Sequence, residues 1–171
     1  MLEGIRHIIE ARWFELRNTG YIIEDYENED IDFNCKVAKN NALEEIKRIM
    51  KIHKKKGAYV GCYDKIGNFD VDYSGDFPED IDEYLVNLAK DIGGIGSTGL
   101  TSNPTNDPAK HENIVGKCAE FRLVNKMLKK GYSMGEFMLT KAYRFRKEGL
   151  LLVPYCPNCK YMFKDILDKE D

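Results

Sequence analysis

The chain lacks any apolar run near the ~18 residues that a membrane-spanning helix requires. Its start does not read as a secretion signal: MLEGIRHIIEARWFELRN alternates charged and apolar residues without a continuous apolar core. It also has no excess of positive charge. With 26 Lys and Arg against 29 Asp and Glu, the formal charge is -3, and no global attraction to nucleic acid or anionic membrane follows. No repeat or low-complexity tract is present. Cysteine is sparse and odd in number: Cys35, Cys62, Cys118, Cys156 and Cys159. An odd count without a signal peptide argues against a disulfide scaffold and for a reduced compartment, the cytoplasm. What is present suits one domain: 171 residues, 43% hydrophobic and 32% charged, are enough to bury a sizeable core.

Hydrophobic spacing predicts a helix over 2–17, with Ile5, Ile8, Ile9, Trp13 and Leu16 on one side. The acidic stretch from Glu24 to Asp32 reads as a solvated loop. A second helix is predicted over 40–54, with Leu43, Ile46, Ile49 and Met50 apolar; Lys54, Lys55 and Lys56 suit its C-terminal end and Gly57 its stop. Residues 58–73 read as a β-hairpin turning at Asp64–Asn68. Pro78 suits the start of a helix reaching Lys90. Residues 93–113, rich in Gly and Pro, form a long connection suited to a rim or lid, or to an inserted linker. A helix over 118–130, a strand over 137–145, a short apolar run at 150–153 and a helix from Cys156 to Asp168 complete the chain. Helices crossing between strands of one sheet indicate an α/β layered domain.

Two motifs carry chemistry. Cys118-Ala119-Glu120 opens one helix and Cys156-Pro157-Asn158-Cys159 opens the next. Cysteines at i and i+3 of a first helical turn face one point. If the two helix starts converge, three thiols meet one ion, and three protein ligands leave a fourth zinc position for water. Helix N-termini favour the thiolate form. Glu120, two residues beyond Cys118, can lie beside the ion without ligating it and move protons between water, a ring nitrogen and a leaving amine.

Cys-Ala-Glu, a helix, a strand, and Cys-x-x-Cys heading another helix resemble the zinc-dependent cytidine deaminase superfamily, whose sites include a Cys₃ variant. The resemblance covers roughly residues 40–171. It implies a cytidine deaminase-like three-layer domain, with a central mixed sheet flanked by helices, behind an N-terminal helical extension over 1–39. It implies Zn²⁺ on Cys118, Cys156 and Cys159, proton transfer by Glu120, and hydrolytic conversion of cytosine to uracil. Two departures stand out. Pro154 is displaced from its usual place directly before the first Cys of the pair, giving Pro154-Tyr155-Cys156-Pro157. Little sequence follows the last helix, where free-nucleoside deaminases usually carry further strands. In this the chain is more similar to deaminase domains of bacterial polymorphic toxins. Those domains are delivered into the cytoplasm of a target cell, act on nucleic acid or nucleotides, and imply an inhibitory immunity-type partner. A free nucleoside, nucleotide or other aminated heterocycle is the alternative substrate, and a non-catalytic zinc-stabilised binding module the alternative function.

Other readings of the same residues remain open. Cys-Pro-Asn-Cys alone also fits a redox dithiol. His111 can close a four-ligand structural zinc site with the three cysteines. His111 and Asn113 are candidate contacts to a sugar or base edge, or plain loop caps. Tyr155 is a candidate stacking platform for a base, or packing. The basic stretch Lys126, Lys129, Lys130, Lys141, Arg144, Arg146 and Lys147 is a phosphate track interleaved with Tyr132, Tyr143 and Phe145, or a set of solvated faces. Cys35 and Cys62 read as ordinary buried thiols, and His7 and His53 as solvent-facing.

Overall fold

A 30-residue helix, α1 (Glu24–His53), opens the part of the chain that the computed structural model describes: residues 24–53, 57–102, 112–146 and 149–168, without the side chains of 24–30 and 53. The helix expected over 2–17, the Lys54–Lys56 cap, His7, His111, Lys147 and the His53 side chain lie outside the described residues. The acidic stretch is helical rather than a loop. Acidic residues crowd the N-terminal end of α1, where the helix dipole favours them, and Lys36 bonds Asp32 one turn back at 2.5 Å. The helix runs unbroken through residues 39 and 40, where the sequence places the edge of an extension. Its inward stripe is Ala38, Ala42, Ile46 and Met50, four residues apart and buried.

The remaining elements are β1 (Tyr59–Asp64), β2 (Phe69–Tyr73), α2 (Glu83–Lys90), a 3₁₀ turn (Gly99–Thr101), α3 (Ala119–Lys129), β3 (Phe137–Leu139), β4 (Ala142–Arg146), β5 (Gly149–Val153) and α4 (Pro157–Met162). The result is an α/β fold: a five-stranded antiparallel sheet with four helices among the described residues. A mixed sheet is the expectation; every ladder is antiparallel, and the parallel element is one isolated bridge, Leu139 to Leu167.

Side-chain alternation on β1 divides the molecule into layers. Tyr59 packs on Ile46 and Met50 of α1, while Val60 and Cys62 join the larger core with α2, α3 and α4. Helices therefore cover both faces. Gly61 is required by the close approach of α1: an added Cβ would lie 2.9 Å from the Ala42 Cβ. Among the described residues no helix is long and apolar enough to cross a membrane.

Two local expectations fail for reasons of tertiary bonding. The helix after Pro78 starts only at Glu83, because Asn125 of α3 accepts from the Asp82 N–H at 2.8 Å and donates to the Asp80 carbonyl at 2.9 Å. The strand over 137–145 is split by a bulge. Cys62 faces Leu139 but Tyr59 faces Tyr143, so one extra residue is inserted at Thr140–Lys141. The Thr140 hydroxyl accepts from the Gly61 N–H at 2.9 Å and keeps the ladder bonded there.

Candidate metal centre

The starts of α3 and α4 meet. Cys118 is the N-cap of α3 and Cys156 the N-cap of α4, both in extended backbone, with Pro157 at the first helical position. The Cys118 and Cys156 sulfurs lie 3.6 Å apart, and the Cys159 N–H points at the Cys156 sulfur at 3.5 Å. All three sulfurs lie within 4.8 Å of one another. No disulfide joins them. Glu120, in the first turn of α3, is buried, and its Oε2 accepts from the Cys159 thiol at 3.5 Å.

The thiols share charge as a group. Cys156 is held far below the ordinary thiol range, first by the hydrogen bond with Cys118 and then by that with Cys159. Cys118 rises through its bond to Cys156, and Cys159 rises through its bonds to both neighbours and its burial. Negative charge is thus favoured on Cys156 over its two neighbours. Burial pushes the Glu120 carboxyl up to about 7. The contrast with Cys62 is plain: it is fully buried away from this group, and burial pushes its thiol up to about 12.

Three convergent sulfurs fit a zinc ion. Tetrahedral zinc with thiolates at about 2.3 Å sets ligand sulfurs about 3.8 Å apart, close to the spacing here. Cys118, Cys156 and Cys159 would hold the ion. Glu120 is adjacent but stands outside the trio of converging donors. His111, the donor for a closed site, lies outside the described residues.

Cys118, Cys156 and Glu120 line a cleft of about 850 Å³, while Cys159 sits behind them, 2% exposed. Asn113 lines the same cleft, so the structure brings it to the site. It does not bring Tyr155. That ring is 5% exposed, it is not part of the cleft lining, and its hydroxyl donates to the Thr140 carbonyl at 2.9 Å. Tyr155 packs the bulge rather than offering a stacking surface. Two aromatic residues of the basic stretch are elsewhere too: Tyr143 packs toward α1, and Tyr132 stacks edge-on against Phe137.

The residue that sequence reasoning passed over is Asn158. It lies inside the Cys-x-x-Cys loop, is 2% exposed, and bonds the long connection at three points. Its Oδ1 accepts from the Leu100 N–H at 2.7 Å; its amide donates to the carbonyls of Thr98 at 3.2 Å and Asn113 at 3.0 Å. A polar residue between two cysteines was the available signal. The partners, 45 to 60 residues away, left no local trace.

A comparison with protein-family models, with curated proteins and with solved structures finds no match for this chain.

Proposed function

We propose that this chain is a zinc-dependent hydrolytic deaminase acting on a cytosine-type ring, built on a deaminase-like three-layer fold. The observation that carries the reading is the meeting of three sulfurs beside a buried carboxylate, with two of those sulfurs and the carboxylate lining one cleft. The order of elements supports it. After the β1–β2 hairpin and α2 come a helix headed Cys-Ala-Glu, a strand antiparallel to β1, the paired strands β4 and β5, and a helix headed Cys-x-x-Cys packed on the same face as the first.

When bound, the zinc would supply a water whose pKa falls to near 7, making it a nucleophile at neutral pH. The protein's part is positional. Cys118, Cys156 and Cys159 would hold the ion between two helix starts. Glu120 sits one hydrogen bond from that trio and lines the cleft. It takes one proton as water adds to the ring carbon that carries the amine and gives it to the ring nitrogen; it then takes the second proton from the new hydroxyl on that carbon and gives it to the amine, which leaves as ammonia. Water enters and ammonia departs, so the ring carbon exchanges an amine for an oxygen.

The test is incubation of zinc-loaded protein with cytidine, its phosphates and cytosine-containing oligonucleotides, read by product mass and released ammonia. Turnover of at least one substrate is expected. Glu120→Gln should cost about 10²–10⁴-fold in rate while retaining the metal. Ammonia from none of the substrates, or full activity in Glu120→Gln, would overturn the proposal.

A further inference from the structure

Five residues of the basic stretch fall into two sets. Lys126 and Lys130 both bind the Asp70 carboxylate, at 2.6 and 2.5 Å, and Lys129 binds Asp80 at 2.7 Å. These lysines fasten α3 to β2 and to the segment before α2. Arg144 and Arg146 differ. They are exposed, line the same cleft as Cys118, Cys156 and Glu120, and have no acidic partner among the described residues. They stand two apart on β4, so both project from the sheet face that bears the metal site, while Tyr143, of the opposite parity, packs toward α1. Lys117 lines the cleft as well. Three cations and one exposed acid, Glu112, thus border one cleft in a chain whose formal charge is -3.

From this we infer that Arg144 and Arg146 form the phosphate-binding rim of the cleft, and that the substrate carries its phosphate. The substrate is then a nucleotide unit, free or within a single strand, and not a bare base or nucleoside. This inference rests on the deaminase reading for the identity of the ring. The chemistry of the rim is that of phosphate recognition. A guanidinium stays charged at every working pH and presents a fork of donors that matches two phosphate oxygens. Two residues along a strand span roughly 6.6 Å, so the pair can hold two oxygens of one phosphate or neighbouring phosphates of an extended strand. A nucleoside offers neither arginine an anion. A phosphate anchored at the rim leaves the attached ring free to reach the carboxylate at the floor.

The experiment measures binding rather than turnover. Zinc-loaded protein carrying Glu120→Gln is titrated with cytidine, cytidine monophosphate and short single-stranded DNA and RNA oligomers holding one cytosine, at several salt concentrations. The phosphorylated ligands are expected to bind at least about tenfold tighter than cytidine. The double variant Arg144→Ala, Arg146→Ala should erase that advantage and leave cytidine binding and thermal stability unchanged. For oligomers it should lower the salt slope by about one for each phosphate that an arginine had neutralised. Preference for oligomer over monophosphate assigns the phosphate to a strand; equal affinity assigns it to a free nucleotide. Equal binding of cytidine and all phosphorylated forms, or a double variant indistinguishable from its parent, overturns the inference. Failure of the deaminase reading looks different: phosphate-dependent binding persists, and the protein without the Glu120 change releases no ammonia.

Discussion

The amide of Asn158 donates to the carbonyl of Asn113 at 3.0 Å, tying the loop that carries two of the three converging cysteines to the segment of chain that lines the cleft. Its other two bonds hold Thr98 and Leu100, so one side chain fixes three points of the long connection against α4. Asn158→Ala strands the Leu100 N–H and takes a donor from each of two carbonyls. A loss of about 2–3 kcal/mol is expected, with a fall in Tm of roughly 5–10 °C. Asn158→Asp, which keeps the bond to Leu100 and loses both donors, should be impaired as well. Thermal unfolding of the two variants checks this; a Tm unchanged in Asn158→Ala would show that water replaces all three bonds.

Metal content follows from the sulfur geometry. One zinc per chain is expected after purification in zinc-containing buffer, measured by elemental analysis. Cys118→Ala, Cys156→Ala and Cys159→Ala should each bring it close to none, while Cys35→Ser leaves it intact, because Cys35 bonds the Asp64 carbonyl outside the trio. Chelation should lower Tm in the parent and not in the ligand variants, since an ion bound only by the folded state stabilises it by mass action.

Each half of the sulfur site was legible because it is local; the meeting of the two helix starts, 38 residues apart, was implied only by the resemblance. Cys118 and Glu120 share one helical turn and Cys156 and Cys159 another, so spacing alone places each pair, and the amphipathic run 119–129 sets the first helix. The hairpin was equally legible from alternation around Asp64–Asn68. What could not be read depends on residues distant in sequence. Tyr155 stands directly beside Cys156, yet the bulge at Thr140 captures its hydroxyl and turns it away from the cleft. The delayed start of α2 is set by Asn125, more than forty residues later. The split between anchored lysines and rim arginines depends on Asp70 and Asp80, which a charge run in the sequence cannot reveal.

Gly99 gives a sharper test of the same connection. Its φ is +55°, and an added Cβ would lie 2.5 Å from the Asn158 Oδ1 and 2.9 Å from the Val115 Cγ2. Gly99→Ala therefore combines a left-handed backbone penalty of about 1–2 kcal/mol with displacement of the very oxygen that receives the Leu100 N–H. Urea unfolding should show a loss of at least about 2 kcal/mol. If Asn158 is already alanine, the added cost of Gly99→Ala should shrink, because the oxygen it collides with is gone; additive effects would contradict the close approach of these two residues.

The hold of α3 on the sheet should depend on pH through Asp70. Burial works to raise this carboxyl, but the hydrogen bonds from Lys126 and Lys130 outweigh it and hold the group below its ordinary 3.8. The folded state therefore binds fewer protons than the unfolded state in this range. The contribution is full above the unfolded value and is lost as pH falls through the lower folded value. Asp70→Asn should cost about 1 kcal/mol at pH 7, a modest figure because both ammonium groups are about half-exposed and screened by solvent. Protonation of the thiols in acid affects parent and variant alike, so the difference between them isolates Asp70. Denaturation of both proteins from pH 7 to pH 3 should show that difference closing below about pH 4; a gap constant across the range would mean that the aspartate acts through packing and not through its charge. Because α3 carries Cys118 and Glu120 at its start and Lys126 and Lys130 at its end, the same variant reports whether the far end of the helix helps hold the three-sulfur cluster in place.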